Sequence, residues 1–263
     1  MIEGLQFCYT QSYPQRRHSE SYQKGHRSQC SFFQSSNPNY IQRNASVMTT
    51  PEHTLVGIHL AIAAGCHRWS GWASVGLAAL ASNIPDLDGL PMLIDMQRFA
   101  QFHRVLFHNF LAIGLTSVVL ACSEAYWGWI NRLTRLLILK FAPPDSENGA
   151  STTVVGGQRP WTLSLFFLTA FVAQTAHLPC DMVVSGGSGL SDWHVLPFWP
   201  FSDRGFVFAL VPWGDIGPTL VLMAGTIWMA KRRNGLSRIA LITLSTLIVY
   251  LLVRGWMRGA IAI

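Results

Sequence analysis

Residues 161–178, WTLSLFFLTAFVAQTAHL, contain no Asp, Glu, Lys or Arg. As a helix rising about 1.5 Å per residue, such a run covers about 27 Å, close to the roughly 30 Å hydrocarbon core of a bilayer. Residues 108–129, HNFLAIGLTSVVLACSEAYWGW, are long enough as well, with Glu124 near the far end. Two more apolar helices are expected: one within 206–230, interrupted by PWGD at 212–215, and one over about 239–253 after the loop KRRNGLSR. The whole chain is 50% hydrophobic and 12% charged, about half the charge of an ordinary soluble domain. The expected fold class is therefore all-α, a polytopic integral membrane helical bundle.

The net charge of +6 does not point to nucleic acid. The positive residues fall in the polar first 50 positions and at the ends of apolar runs, the pattern of a protein whose partner is membrane lipid. Five cysteines, at 8, 30, 66, 122 and 180, show no CxxC spacing and support neither a zinc knuckle nor a disulfide framework. Residues 1–50 are Ser-, Gln- and Arg-rich without lasting periodicity and read as a disordered tail. They lack a signal-peptide h-region, and Met48, directly before TTPEHTLVGIHLAIAAG, is an alternative start. The membrane-embedded domain is expected over 51–263.

Its first part is ambiguous. HTLVGIHLAIAAGC (53–66) and WASVGLAALASNI (72–84) are each only about 20 Å long as helices, short of the bilayer core. They form either a helical hairpin or one long helix through 53–82. Gly65, Ser70 and Gly71 in the polar break favour the hairpin.

Topology then gathers the ionisable groups. If PDLD (85–88) lies on one membrane side, the helix after HRVLFH (103–108) leaves that side and residues 161–178 return to it with HLPCD (177–181). Asp86, Asp88, His103, His108, His177 and Asp181 then share one face, and a hairpin adds His53 of PEH. Imidazole and carboxylate are ligands for zinc and related divalent ions. Burying so many ionisable groups near lipid without pairing or metal is expensive. Each motif alone has a plainer reading. Asp86 and Asp88 can end a helix, His177 and Asp181 can form an i,i+4 structural pair, and His59 and His67 suit polar helix or turn positions. His103 and His108 lie about 140° apart on a helix, so they converge only if the helix starts between them or ligands arrive from two directions.

Together these residues suggest a metal-dependent hydrolase at the membrane interface, acting on a phosphoester or phospholipid-like substrate. One or two divalent ions are implied, zinc favoured, with manganese or magnesium as alternatives. Asp88 and Asp181 are candidate catalytic bases, and Arg104 a candidate for steadying an anionic substrate. The Gly-rich SGGSGLSD (185–192) reads as a surface loop able to meet a head group through backbone amides. Neither a serine-hydrolase elbow nor a phosphate-binding P-loop occurs. The competing reading is a membrane transporter or structural protein with a metal-stabilised polar cluster.

The same motifs, together with HVLPFWPFS at 194–202, resemble the YdjM-like family of inner-membrane proteins, assigned as metal-dependent hydrolases. The resemblance covers roughly 50–215. It implies a divalent-metal hydrolase in a bacterial cytoplasmic membrane, with His53, Asp86, Asp88, His103, His108, His177 and Asp181 as the metal set. The family commonly has a small residue after HR and Thr-His-Ser at the motif's end; here Val105 and Phe107-His108-Asn109 occupy those places. Arg132, Arg135, Lys140, Lys231, Arg232, Arg233 and Arg238 lie on the side away from this set, joined by Arg68 in a hairpin. The positive-inside rule makes that side cytoplasmic and the metal face periplasmic or external, against Arg98, Arg104, Arg254 and Arg258 on the metal side.

Overall fold

A computed structural model of the chain describes residues 50–93, 103–133, 136, 162–186, 192–232 and 234–261. The expected tail, except Thr50, and residues 187–191 of the Gly-rich insert lie outside the described residues. In chain order the elements are α1 (Thr50–Ala63), α2 (Cys66–Trp69), α3 (Trp72–Ala81), a 3₁₀ helix (Pro85–Leu93), α4 (Phe110–Trp127), α5 (Thr162–Val183), α6 (Gly217–Lys231) and α7 (Leu236–Met257). The protein is a helical bundle, and α4, α5 and α7 are long and apolar enough to cross a membrane. Among the described residues the extended segments form only isolated bridges, Val184 with Val211 and Val195 with Phe206.

The first apolar region is a hairpin. Gly65 and Gly71 take φ near +78° and +77°, values that glycine reaches without a Cβ clash, and the chain reverses around α2. A Cβ on Gly57 would lie 2.6 Å from the Ala78 carbonyl oxygen, so α1 and α3 meet nearly backbone to backbone. Asn83 Nδ2 donates to Thr54 Oγ1 at 2.8 Å and ties the open end together. His53 and Asp86 consequently sit at one end of the hairpin.

α5 runs through Pro179 to Val183, further than its apolar run alone suggests. Pro179 removes one helical hydrogen bond, but it lies near the C-terminus with its ring on the exposed side. α6 starts only after PWGD, with Pro218 in its first turn, where a missing N–H costs nothing.

Small residues set the packing. Ala78, Ala81, Ala121, Ala170, Ala173 and Ala240 are buried in the main apolar cluster, allowing the close helix approach that association in lipid favours. Between α4 and α5, Thr116 Oγ1 donates to Gln174 Oε1 at 2.7 Å, and Gln174 Nε2 donates to Ser117 Oγ at 2.9 Å. Large apolar side chains point outward instead, among them Leu115, Val119, Leu168, Ile248 and Val249, the surface lipid would cover.

Two polar ties fix the ends. Ser237 Oγ donates to Ile62 O at 2.8 Å, joining the starts of α7 and the end of α1. At the opposite end Asp215 accepts from Tyr250 at 2.6 Å and from Arg254 Nε and Nη2 at 2.9 and 2.7 Å. The starts of α1, α4 and α6 and the ends of α3, α5 and α7 therefore meet at one end.

The α6–α7 contact rests on Gly225, where a Cβ would come 2.2 Å from Thr243 Oγ1 and 2.4 Å from its Cγ2. Gly225→Val should cost about 1–3 kcal/mol by overpacking, read as a lower unfolding temperature in detergent. Gly114→Ala, with nothing within 4 Å of the new methyl, should leave that temperature unchanged or raise it.

Candidate metal centre

The HRVLFH motif is not helical. Residues 103–109 form turns and bends, and α4 begins only at Phe110, with the Asn109 side chain accepting from Ala112 N at 2.8 Å as its N-cap. Asn serves this position as well as Ser does. Arg104 adopts φ +65°, a left-handed conformation uncommon for a non-glycine residue. That turn lets both histidines of the motif reach one carboxylate.

The carboxylate is Asp88, on the 3₁₀ helix. Its Oδ1 accepts from His103 Nδ1 at 2.9 Å, and its Oδ2 accepts from His108 Nδ1 at 2.9 Å and Phe107 N at 3.2 Å. Burial alone would raise its pKa, but the hydrogen bonds from the two histidines outweigh that and hold it at about 2. Asp88 is therefore a fixed anion with both oxygens engaged.

Asp86 faces the other way. One oxygen of Asp86, His108 Nε2, His177 Nε2 and one oxygen of Asp181 all lie within 4.8 Å of one another, brought together from the 3₁₀ helix, the turn before α4 and the end of α5. The recorded separations are 3.0 Å for His108–Asp181, 3.1 Å for His108–His177, 3.4 Å for His177–Asp86, 3.5 Å for His177–Asp181 and 3.9 Å for His108–Asp86. Ligands of a tetrahedral zinc ion, each about 2.0–2.1 Å from the metal, stand about 3.3 Å apart. The observed spacings bracket that figure.

The protonation pattern favours a cation here. His177 Nδ1 lies 2.7 Å from the Ser82 carbonyl oxygen, which can only accept, so Nδ1 carries the proton. His108 Nδ1 likewise donates to Asp88. With both rings neutral, both Nε2 atoms present lone pairs to each other and to two carboxylates. Such a buried set is stable only with a proton or a metal ion at its centre. Without metal, burial works against charge on His108, yet Asp181 and Asp88 prevail and its pKa rises above the ordinary 6.5. These residues fit a divalent ion, with Asp88 and the Ser82 carbonyl orienting the two imidazoles.

His53 approaches from α1. Its ring stacks on His177 at a centroid distance of 3.7 Å, and Nε2 lies 3.3 Å from Asp181 Oδ1. Neither of its nitrogens makes a hydrogen bond although the residue is 1% exposed; it is a further donor on the rim of the set. His103 stays behind Asp88, edge-on to His108 and Trp193 at 5.5 and 5.1 Å. His59 is buried one turn further along α1, its Nδ1 bonded to the Leu55 carbonyl at 2.8 Å. His67 lies on α2 at the remote end.

Arg104 closes the cluster. It is 1% exposed, with Nε 3.3 Å from Asp181 Oδ2 and Nη1 donating to the Trp193 carbonyl at 2.8 Å. Its guanidinium lies 5.0 and 5.9 Å from the ring centroids of Trp213 and Trp193, within range of a cation–π contact. Sequence reasoning did not single out the two tryptophans. Nor did it single out Glu52, which is buried beside His53 and accepts from Thr219 Oγ1. The signal available for Glu52 was its place next to His53 in PEH; for Trp193 and Trp213 only the density of aromatics in the 193–213 segment hinted at a role.

These features define a membrane protein with a buried His/Asp centre able to hold a metal ion at one end of a helical bundle. Residues 48–260 match the YdjM inner membrane protein family, and the chain belongs to that family. Neither a search of curated proteins nor one of solved structures gave a match.

Asp88→Asn should keep the fold's shape at this point but lose the anion that fixes His108. Zinc affinity should fall about tenfold to a hundredfold. A divalent ion bound here would displace the His108 proton, so zinc affinity should fall as pH drops through a midpoint above 6.5. In Asp88→Asn that midpoint should move down towards 6.5, measured by competition with a chromophoric chelator across pH.

Proposed function

We propose that this protein is a metal-dependent hydrolase acting on phosphoesters at the membrane interface. The observation that carries the reading is the convergence of Asp86, His108, His177 and Asp181 with both imidazole Nδ1 atoms already committed. Within the hydrogen-bonded cluster three carboxylates, Asp86, Asp88 and Asp181, face one guanidinium, Arg104. With the imidazoles neutral, two negative charges remain, which one divalent cation in place of the ring protons balances. Two imidazoles and two carboxylates suit zinc first and manganese second, with magnesium less well served by nitrogen.

A divalent ion supplies Lewis acidity, acidifying water and polarising a phosphoryl oxygen. The chain's own residues divide the remaining work. Asp88 holds His108 and His103 and has no free oxygen for proton transfer. Asp181 turns Oδ2 to His108, His177 and Arg104 and has Oδ1 3.3 Å from His53 Nε2, hemmed in on both sides, so its part is ligation. Asp86 is the least buried of the four, its side chain 20% exposed, and stands where water and substrate enter; it is the better candidate for the base. Arg104 pairs with Asp181 in its buried setting and brings positive charge to the place where an anionic substrate would bind.

Protein purified in detergent should retain divalent metal in stoichiometric amount and hydrolyse members of a phosphoester and phospholipid panel. Asp86→Ala and His108→Ala should lose both the metal and the activity. Absence of bound divalent metal from the wild-type protein across physiological pH would overturn the reading.

We further propose a multi-pass arrangement in the bacterial inner membrane with the centre on the periplasmic or external face. Arg68, Arg132, Lys231, Arg232 and Arg238 are exposed at the end remote from the centre. Arg104 and Arg254, at the centre's end, are paired internally with Asp181 and Asp215, and Arg258 donates to the Ser185 and Ala209 carbonyls. Arg204 is exposed at the centre's end, over the Phe206 ring at 5.3 Å, and Arg98, Arg135, Lys140 and Arg233 lie outside the described residues. The five exposed cations of the remote side outnumber it, the pattern of a cytoplasmic face. A cysteine at Asn234 should react with an impermeant maleimide only after the inner membrane is opened, while alkaline phosphatase fused after residue 261 should be active.

A further inference from the structure

A groove of about 510 Å³ lies where the start of α4 meets the last turns of α5 and the 195–206 segment. Its wall is apolar, formed chiefly by Phe110, Phe171, Leu178, Met182, Phe198 and Phe206. It opens on the surface that carries the exposed Leu111, Leu115, Leu168 and Val172, continuous with the face that a membrane-embedded helix pair turns to lipid. An apolar channel open on the lipid-facing surface fits a hydrocarbon chain.

The groove and the metal centre are built from the same short segments. On α5, His177 and Asp181 turn to the centre, while the next residue in each case, Leu178 and Met182, lines the groove. Before α4, His108 turns to the centre and Phe110 to the groove. The 195–206 segment meets both: Leu196 N donates to Arg104 O at 3.4 Å, and Phe110 N donates to Pro197 O at 2.9 Å. Leu178 also packs with Ile113 and Val195 in a small apolar cluster beside the groove.

We propose that this groove holds one acyl chain of a membrane lipid whose phosphate-bearing head group is the substrate of the metal centre; the substrate half of this proposal rests on the hydrolase reading above. An acyl chain gains little apolar burial by leaving the bilayer for a groove. What the groove supplies is position, since a seated chain delivers its head group to the end of α5 where His177 and Asp181 lie.

The test uses the full chain in phosphatidylcholine vesicles with two photoactivatable probes. One is phosphatidic acid carrying a diazirine on a palmitoyl chain, and the other is the diacylglycerol of the same chain. The phosphatidic acid probe should label the peptide containing Phe171 to Met182 several-fold more strongly than the diacylglycerol probe does. Val172→Trp, which fills the mouth, should reduce that labelling about tenfold and lower the preference for long-chain over soluble phosphoesters by a similar factor. Leu115→Trp, on the exposed face outside the groove, should change neither. Labelling spread evenly over α4 and α5, or labelling unchanged in Val172→Trp, would overturn the proposal. Groove labelling in a protein that turns over no phosphoester would sink the hydrolase reading and leave the lipid site standing. Turnover of soluble phosphoesters without groove labelling would do the reverse.

Discussion

Two imidazole Nε2 atoms 3.1 Å apart, each with its Nδ1–H already committed to a hydrogen bond, set the terms for the rest of this structure. Lone pairs and carboxylates packed this closely repel, and little water reaches them to screen the repulsion. Removing a single carboxylate from water costs several kcal/mol even after relaxation. Arg104 offsets part of that cost through Asp181. The remainder calls for a cation at the centre, and the ligand spacing leaves room for one.

Helix ends make the arrangement affordable. The last carbonyls of a helix have no intrahelical partner, and the Ser82 carbonyl, just past α3, uses that vacancy to take the His177 proton. The N-terminus of α4 is capped by Asn109, which leaves His108 one residue outside the helix and free to turn towards Asp88. Asp181 sits in the last turn of α5, beyond Pro179. None of the ligands lies deep within a spanning helix; His177 comes furthest in, less than two turns from the end of α5. The close approach of α1 and α3 at Gly57 matters for the same reason, because it brings both His53 and Ser82 to the ring of His177.

Much of this was legible in the sequence. Runs without charge gave α4, α5 and α7, since in lipid only a helix satisfies every backbone group internally. Once the spans alternate, PDLD, HRVLFH and HLPCD must return to one end, and His53 joins them if Gly65 and Gly71 reverse the chain, as they do. The division of labour within the set was not legible. Asp86 and Asp88 are chemically identical and one residue apart, and their roles separate because the 3₁₀ helix aims one towards His177 and the other towards the Nδ1 atoms of His103 and His108. Helical spacing set His103 and His108 apart, whereas a left-handed Arg104 lets them meet at one carboxylate. The tryptophans around Arg104 arrive from a segment with no periodicity, where sequence carries no register from which to place them.

The depth of the polar groups bears on what such a centre does. Below it, several buried polar side chains close on near neighbours: Gln174 on Thr116 and Ser117, Thr243 on its own helix at Ile239, and Glu124 on the amides of Ile130 and Asn131. Pairs of this kind hold helices together in lipid, and each consumes the donors or acceptors that a file of ions or protons would need. Among the described residues Thr175 Oγ1 on α5 and His59 Nε2 on α1 are also buried without a hydrogen bond, single atoms on separate helices. The centre, by contrast, gathers two imidazoles and three carboxylates at the bundle's end and opens through Asp86, its side chain 20% exposed. That concentration of ionisable groups at one end suits a centre that meets its substrate at the membrane surface better than one that passes its ion through the bundle.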